Sequence, residues 1–392
     1  MAEDRMEQPT TLRRCPGCGA PLQSDEPTLP GYVPPEHLER EQPLCMRCHR
    51  LVHYGEVLAV RVESDDYRRH VQDVGLDHEV LLVVDLFDVE GSLLPELPRL
   101  IGTRRVVVVA NKVDLLPKAI NVDRVSAWLS ERLRAHGFEP TAVMWVSAKT
   151  GEGLPTLFAL LESTKRDVAV VGAANVGKST LLNRLIVHFG VKDRVRLSTS
   201  RIPGTTLARV EVVLPNGKRL VDTPGVLVDG RFGPLLKPDE LKVVFPSRRI
   251  DPRIYQLDPG QTLFLGGLAR VDFLSGVHQP FVLYVSPALY VHRTKRSRAD
   301  VLYFEQRGRL LRPPALDRDP PLPEWVRHRF AIGTLSARGA RGDGGERERR
   351  RPTGKCDIDL GGIGWLTLNG APAVVDVFIP RGVLPIERPA MI

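Results

Sequence analysis

Between Asp167 and Arg184 the chain reads DVAVVGAANVGKSTLLNR, and few folds accommodate such a stretch. The apolar run Val168 to Val171 predicts a buried strand, and Leu181, Leu182, Leu185 and Ile186 recur at helical spacing. Between them Gly172, Gly177, Lys178 and Ser179 satisfy G-x-x-x-x-G-K-[ST]. Glycine at both ends of the loop lets the backbone curl so that successive N–H groups point inward at a polyphosphate. The following helix start adds unpaired donors and a positive dipole end. Lys178 then supplies a point charge to the β- and γ-phosphates, and the Ser179 hydroxyl can ligate Mg²⁺. Asn175, Val176 and Thr180 belong to the same predicted nucleotide-contacting loop.

Three shorter motifs select the base. Asn111-Lys112-Val113-Asp114 ends a predicted strand, Val106 to Ala110. A carboxylate such as Asp114 can accept from the N1–H and the N2 amine of guanine; adenine offers no such pair and is rejected by a site built around that partner. Ser147-Ala148-Lys149 follows a strand from Ala142 to Val146 and is expected to bring backbone N–H groups to guanine O6. Asp222-Thr223-Pro224-Gly225 follows Arg219 to Val221, where Asp222 is expected to hold Mg²⁺ through water and Gly225 to sense the γ-phosphate. NKxD alone is weak, but four motifs at predicted strand ends imply a guanine nucleotide, GTP or GDP.

Their order is unusual. In the common layout the phosphate loop comes first and the base-reading motifs last, whereas here the chain runs NKVD, SAK, phosphate loop, Pro203-Gly204-Thr205-Thr206, DTPG. That is a circular permutation, tolerable because domain termini tend to lie close together at the surface. The chain leaves the nucleotide core just after DTPG, so whatever follows is tied to the segment that responds to the γ-phosphate.

The permuted order, the CPGCG…CMRC pairs at the N-terminus and a long C-terminal region together resemble the YqeH family of ribosome-assembly GTPases, over residues 12 to 390 and most specifically in the first two thirds. The resemblance implies a cytoplasmic GTP-hydrolysing switch that contacts ribosomal RNA or the small ribosomal subunit. It also implies Thr206, rather than Thr205, as the hydroxyl that completes the Mg²⁺ shell.

Cys15, Cys18, Cys45 and Cys48 form two C-x-x-C pairs, while Cys356 stands alone. This is no disulfide framework; two knuckles make a tetrahedral Cys₄ site, expected to hold zinc, with iron not separated by the ligand set. The Pro-rich segment between the pairs cannot supply a core, so the metal is expected to supply the folding energy. His49 and His53 read as ordinary residues. The module either contacts RNA or protein or is a folding staple. A redox dithiol is the other reading of C-x-x-C.

Net charge is +8, which favours a polyanionic partner or reflects an Arg-rich surface. The first ten residues are acidic and carry no signal-like or transit-like pattern, and the first eleven are expected to be disordered. No apolar run approaches the roughly 20 residues of a membrane helix.

Strand–helix alternation from His78 onward predicts an α/β fold with a mostly parallel sheet covered on both faces. Residues Asp65 to Arg69 read as a solvated helix, and Val122, Val125, Leu129 and Leu133 as one apolar helix face. Asp85 either lines the nucleotide pocket or caps its strand, capping being favoured. The expected domains are a zinc finger at 12–55, a permuted P-loop GTPase domain at 64–235 and a β-rich domain at 240–392. In the last, short segments such as Thr262 to Leu268, Phe281 to Val285, Leu302 to Glu305 and Gly364 to Leu368 read as strands. Arg338 to Pro352 reads as a disordered loop. Its arginines, with Arg293, Lys295, Arg296 and Arg298, are candidate RNA contacts.

Val226 stands where Ras-type enzymes carry the glutamine that orients water. Related GTPases with an apolar residue there can use a monovalent cation such as K⁺, held partly by a loop Asn, and Asn175 stands at the matching place. Asn175, Lys178 and Thr206 are therefore the expected catalytic set. The alternative is a nucleotide-regulated RNA-binding or scaffold protein with negligible hydrolysis. A further option is another permuted ribosome-acting GTPase family, whose zinc site follows the GTPase domain. The pattern fixes no oligomeric state.

Overall fold

The computed structural model describes residues 13–54, 56–58, 61–62, 64–75, 77–191, 195–198, 209–333 and 354–392. The PGTT segment with Thr206, the basic residues Lys192, Arg194 and Arg201, the first eleven residues and the tract 338–352 lie outside the described residues. The chain forms two compact units. One comprises Met1–Val84, Leu94–Asn111 and Glu139–Leu227, the other Asp85–Leu93, Lys112–Phe138 and Val228–Ile392.

The first unit is organised by a seven-stranded sheet among the described residues. Its order is Ala142–Trp145, Val106–Asn111, Glu79–Asp85, Val168–Val171, Arg219–Asp222, Arg209–Val213 and Val195–Ser198. Val168–Val171 pairs in parallel with Glu79–Leu82 on one side and with Leu220–Asp222 on the other, while Arg209–Val213 pairs antiparallel with both of its neighbours. The central strands are buried along their whole length, as parallel strands covered on both faces must be, which is why they read as unbroken apolar runs. Edge strand Ala142–Trp145 is only partly buried. Helix Lys178–His188 buries Leu181, Leu182, Leu185 and Ile186, one stripe worth roughly 1.5–3 kcal/mol per side chain. Helix Leu154–Ser163 does the same through Leu154, Leu157, Phe158 and Leu161.

Helix Ser64–Gln72 departs from the solvated helix expected: Tyr67, His70 and Val71 are buried. Their i, i+3, i+4 spacing makes a face that the flanking charges obscure in the sequence. The Cys₄ module has a small core of its own, in which the four cysteines pack with Ala20, Leu22 and Val33.

The β-rich region of the second unit is two five-stranded sheets. One runs Arg253–Leu257, Gln279–Val285, Gly364–Leu368, Cys356–Asp359, Ile386–Pro389; the other runs Val291–Lys295, Gln261–Leu265, Ala269–Gly276, Ala373–Pro380, Trp325–Ile332. All their pairings are antiparallel. Leu263, Val271 and Val377 of one sheet share a core with Leu283, Ile358 and Leu366 of the other. Cys356 is buried there, and burial pushes its thiol up to about 12, away from reactivity. Leu302 to Glu305 is not a strand. It lies in helix Arg296–Gln306, where buried Ala299 and partly buried Leu302 and Tyr303 pack with Phe264. A short apolar run cannot distinguish the two states; the spacing back to Ala299 does.

Helix Val122–Ala135 is capped by Asn121, whose side chain accepts from Arg124 N–H at 2.9 Å. Val125, Trp128, Leu129 and Leu133 are buried, while Val122 is 49% exposed and does not belong to the face expected for it. Trp128 Nε1 donates to the Pro389 carbonyl at 2.8 Å.

Candidate nucleotide-binding site

The loop Gly172–Gly177 leaves the central strand of the first unit, and the helix beginning at Lys178 carries it away. Gly177 has φ 100°, and a Cβ there would lie 2.3 Å from Asn111 Nδ2. At Gly172, φ is 156° and a Cβ would lie 2.7 Å from the Val83 carbonyl oxygen. Both positions thus demand glycine on steric grounds. Exposed Asn175 also holds a left-handed conformation, φ 65°, which asparagine tolerates better than most residues.

Lys178 is buried, and its ammonium donates to the carbonyls of Gly172 and Ala173, each at 2.7 Å. Burial pulls it down to about 8, with the charge of Asp222 opposing. Asp222 shows the mirror image: burial pushes its carboxyl up to about 6, against the charges of Lys178 and Arg47. Its Oδ1 is buried with no hydrogen-bond partner among the described residues. An acceptor in that position suits a metal-bound water, so the donor set fits Mg²⁺. Ser179 is half-buried at the same helix start and Thr180 is exposed.

The DTPG segment is fastened to the loop strand. Thr223 donates through both N–H and Oγ1 to the Val170 carbonyl, at 3.1 and 2.8 Å. Ala174 N–H donates to the Val226 carbonyl at 2.8 Å. A Cβ on Gly225 would lie 3.0 Å from Ala174 Cα and 3.1 Å from Lys178 Nζ.

Asn111 joins two further motifs. Its buried amide donates to the Val176 carbonyl at 2.8 Å, and its Oδ1 accepts from Ala148 N–H at 3.0 Å. Ser147 is buried and its Oγ accepts from Thr150 N–H at 3.0 Å, holding the turn that leaves Lys149 exposed. Arg184, missed in the sequence, donates to the carbonyls of Ala148 and Lys149 at 3.0 and 2.6 Å. Its only sequence signal was its place on the helix after Lys178, which says nothing of a partner far away in the chain.

Lys112 and Asp114 fall in the second unit. Lys112 adopts φ 70°, and its ammonium lies 2.5 Å from Asp85 Oδ2. Asp85 Oδ1 also accepts from Phe87 N–H at 2.9 Å, so this carboxylate caps its strand and pairs with the motif lysine at once. Asp114 is half-buried in the turn Val113–Leu115.

In the same unit Arg231 is buried and donates to Asp359 at 2.6 and 3.1 Å and to Asp88. Glu90 accepts from Arg132 at 2.9 and 3.0 Å and lies 3.5 Å from Arg388, which stands over the rings of Trp128 and Trp365. None of these arginines carries a motif signature.

Four thiol sulfurs, Cys15, Cys18, Cys45 and Cys48, lie within 4.8 Å of one another and are all buried. Hydrogen bonding among them splits their protonation: Cys18 foremost holds Cys15 well below the ordinary thiol range, and Cys15 foremost pushes Cys48 far above it. Four thiolates this close cannot all ionise without a cation among them, so the set fits a tetrahedral metal such as zinc. Among the described residues this is the one such cluster, and no helix is long and apolar enough to cross a membrane.

A glycine-bounded loop after a central parallel strand, an aspartate facing its lysine, and Asn111 and the SAK turn joined to it define a P-loop GTPase domain with circularly permuted motifs. Residues 167–250 match the family described as "50S ribosome-binding GTPase", and residues 278–337 the family described as "YqeH-like, C-terminal". Over 96% of its length the chain is 36% identical to "Uncharacterized protein YqeH" of Bacillus subtilis (strain 168), spanning 99% of that protein. It is 28% identical to "NO-associated protein 1, chloroplastic/mitochondrial" of Arabidopsis thaliana, over 92% of this chain and 70% of that one. A shorter match, 39% over 31% of this chain and 34% of the other, is to "Small ribosomal subunit biogenesis GTPase RsgA" of Xylella fastidiosa (strain M23). The chain belongs to the YqeH family.

Proposed function

We propose that this GTPase is a cytoplasmic switch in small ribosomal subunit biogenesis, with ribosomal RNA or the small subunit as its partner. The observation that carries the nucleotide-switch part of this reading is the Asn111 bridge, which ties the phosphate loop to the SAK turn. The relative named for small-subunit biogenesis supports the choice of subunit; the family description over residues 167–250 names the 50S particle instead and supplies the competing arm of the test.

The roles follow from the chemistry of each group. Backbone N–H groups of Gly172 to Thr180 cradle the phosphates, and Lys178 exchanges its two carbonyl partners for phosphate oxygens. Asp114 accepts from the guanine edge, the Ala148 and Lys149 backbone meets O6, and Lys112 braces the motif through Asp85. Ser179, Asp222 and Thr206 hold Mg²⁺, which when bound offsets the charge of the β- and γ-phosphates. Asn175 helps to hold K⁺, a positive charge in place of an arginine finger. Cys15, Cys18, Cys45 and Cys48 hold zinc as a folding element. The three-part division at 12–55, 64–235 and 240–392 gives the switch a finger in front and a β-rich anchor behind.

Val226 favours a second reading, in which the protein binds nucleotide and RNA but scarcely hydrolyses. GTP turnover measured in K⁺ and Na⁺ buffers, alone and with purified 30S or 50S subunits, separates the two. The proposal expects turnover raised by K⁺ and by 30S subunits and lost in Lys178→Ala. Equal rates in the two salts remove K⁺; stimulation by 50S alone moves the target; intact binding with no turnover under any condition supports the scaffold.

A further inference from the structure

A groove of about 600 Å³ opens on the Cys₄ module, and none of the residues assigned to nucleotide lines it. That volume lies within the ~300–1,000 Å³ range of small-ligand clefts. His37, Arg40, His49, Arg50, His53 and Tyr54 line it, and the rest of the lining is Gln42 and apolar side chains. No carboxylate lines it among the described residues; Glu36, Glu39 and Glu41, close by in sequence, are exposed and are not among its lining.

Most of these groups stand on helix Met46–Tyr54, whose opposite face carries buried Arg47, Cys48 and Leu51. Residues four apart on a helix face one another. The His49 and His53 rings accordingly lie 4.6 Å apart, and the Arg50 guanidinium lies 5.5 Å from the centroid of Tyr54. Arg50 is further held by Glu56 at 3.2 Å. Tyr54 is nevertheless 54% exposed, so part of its ring stays open to a ligand.

We propose that this groove binds single-stranded RNA, taking an unpaired base against Tyr54 and the paired histidine rings and the flanking phosphates at Arg40 and Arg50. Cationic heads around a cleft with exposed rings match a polyanion whose repeating unit has a flat face. An acidic peptide would satisfy the charges but leave the rings unused, and a duplex keeps its bases stacked away from them. RNA binding here requires no hydrolysis, and no residue assigned to nucleotide lines the groove.

The test uses the full metal-loaded chain and a short fluorescein-labelled oligouridylate, read by anisotropy. Tyr54→Ala should weaken binding by about tenfold, the loss of one stacked base. Arg40→Ala should lower the slope of log affinity against log salt by about one, the signature of a lost phosphate contact. GTP binding and metal content of both variants report on folding and should match wild type. Ultraviolet crosslinking of the wild-type chain gives an answer that needs no variant: the crosslinked peptide should span residues 37 to 54. Unchanged affinity in Tyr54→Ala, equal displacement by polyglutamate, preference for duplex, or crosslinks confined to other segments would each overturn the proposal.

Discussion

The side-chain amide of Asn111 donates to the main-chain carbonyl of Val176 at 2.8 Å. One end of a base-reading motif is thereby fixed to the phosphate loop, and the other end of the same amide accepts from Ala148. Asn111→Ala orphans two buried backbone groups, at about 1–3 kcal/mol each. Guanine nucleotide affinity should fall at least about tenfold, since both loops lose their brace, and the urea midpoint should drop. Asn111→Asp keeps the acceptor for Ala148 but sets a buried carboxylate oxygen against the Val176 carbonyl, so it should lose at least as much as Asn111→Ala. Wild-type nucleotide affinity in Asn111→Ala would sink this account of the bridge.

Glu90 predicts a pH dependence. Burial raises its proton affinity, but hydrogen bonds from Arg132 and the charges of Arg388 and Arg132 prevail, leaving the carboxyl below its ordinary range. A carboxylate depressed in the folded state contributes stability above its unfolded pKa, roughly 4.3, and loses it as pH falls through the folded value. Glu90→Gln should therefore cost about 3–5 kcal/mol near neutral pH, where it leaves Arg388 and Arg132 facing a neutral group. The gap from wild type should narrow steadily below roughly pH 4.3. Urea titrations across that range read it directly, and a gap independent of pH would mean that the Glu90 charge is not what stabilises the site.

Arg231 predicts that one neutralisation compensates another. It is the buried cation between Asp88 and Asp359, and burial pushes the Asp88 carboxyl up while Arg231 pulls it down. Arg231→Met removes the cation and leaves two buried carboxylates, a loss of about 3–5 kcal/mol. Adding Asp359→Asn should restore part of that stability, because it removes one of the stranded charges. Additive losses in the double variant, measured by denaturant unfolding, would show that the three groups are not coupled.

Metal removal should unfold the Cys₄ module. Its buried core beyond the four cysteines is Ala20, Leu22 and Val33, too little to stand alone. Chelation should release zinc and expose the segment from Cys15 to Cys48 to protease, while guanine nucleotide binding persists. Cys48→Ser should reproduce this without chelator. Iron in the purified protein would announce itself by visible colour, and a metal-free chain resisting protease equally well would make the cluster dispensable for folding.

Much of the first unit was legible because its signals are local. Val168 to Val171 and Val106 to Ala110 read as buried strands since both faces of a central parallel strand must be apolar. Gly172, Gly177, Lys178 and Ser179 read as a phosphate loop because backbone curvature and charge need those residues at that spacing. The β-rich region was legible only as a class. Arg253–Leu257 alternates half-buried and exposed positions, buries only Leu257 and exposes apolar Ile254, so its strand shows only once Gln279–Val285 pairs with it. Leu302 to Glu305 has the composition of a strand and the packing of a helix.

The sequence by itself determined which chemistry the chain carries: the phosphate loop, the permuted order of the guanine motifs and the four thiols, each set by neighbours within a few residues. Tertiary structure decided what holds those parts in place. Asn111 at Val176 and Ala148, Arg184 at the SAK turn, Arg231 between two aspartates and Arg388 between Glu90 and two tryptophans are pairings across long stretches of chain. A buried polar group must find a partner, but nothing local says which one; folding brings the partner within reach, and burial then makes the choice costly to undo.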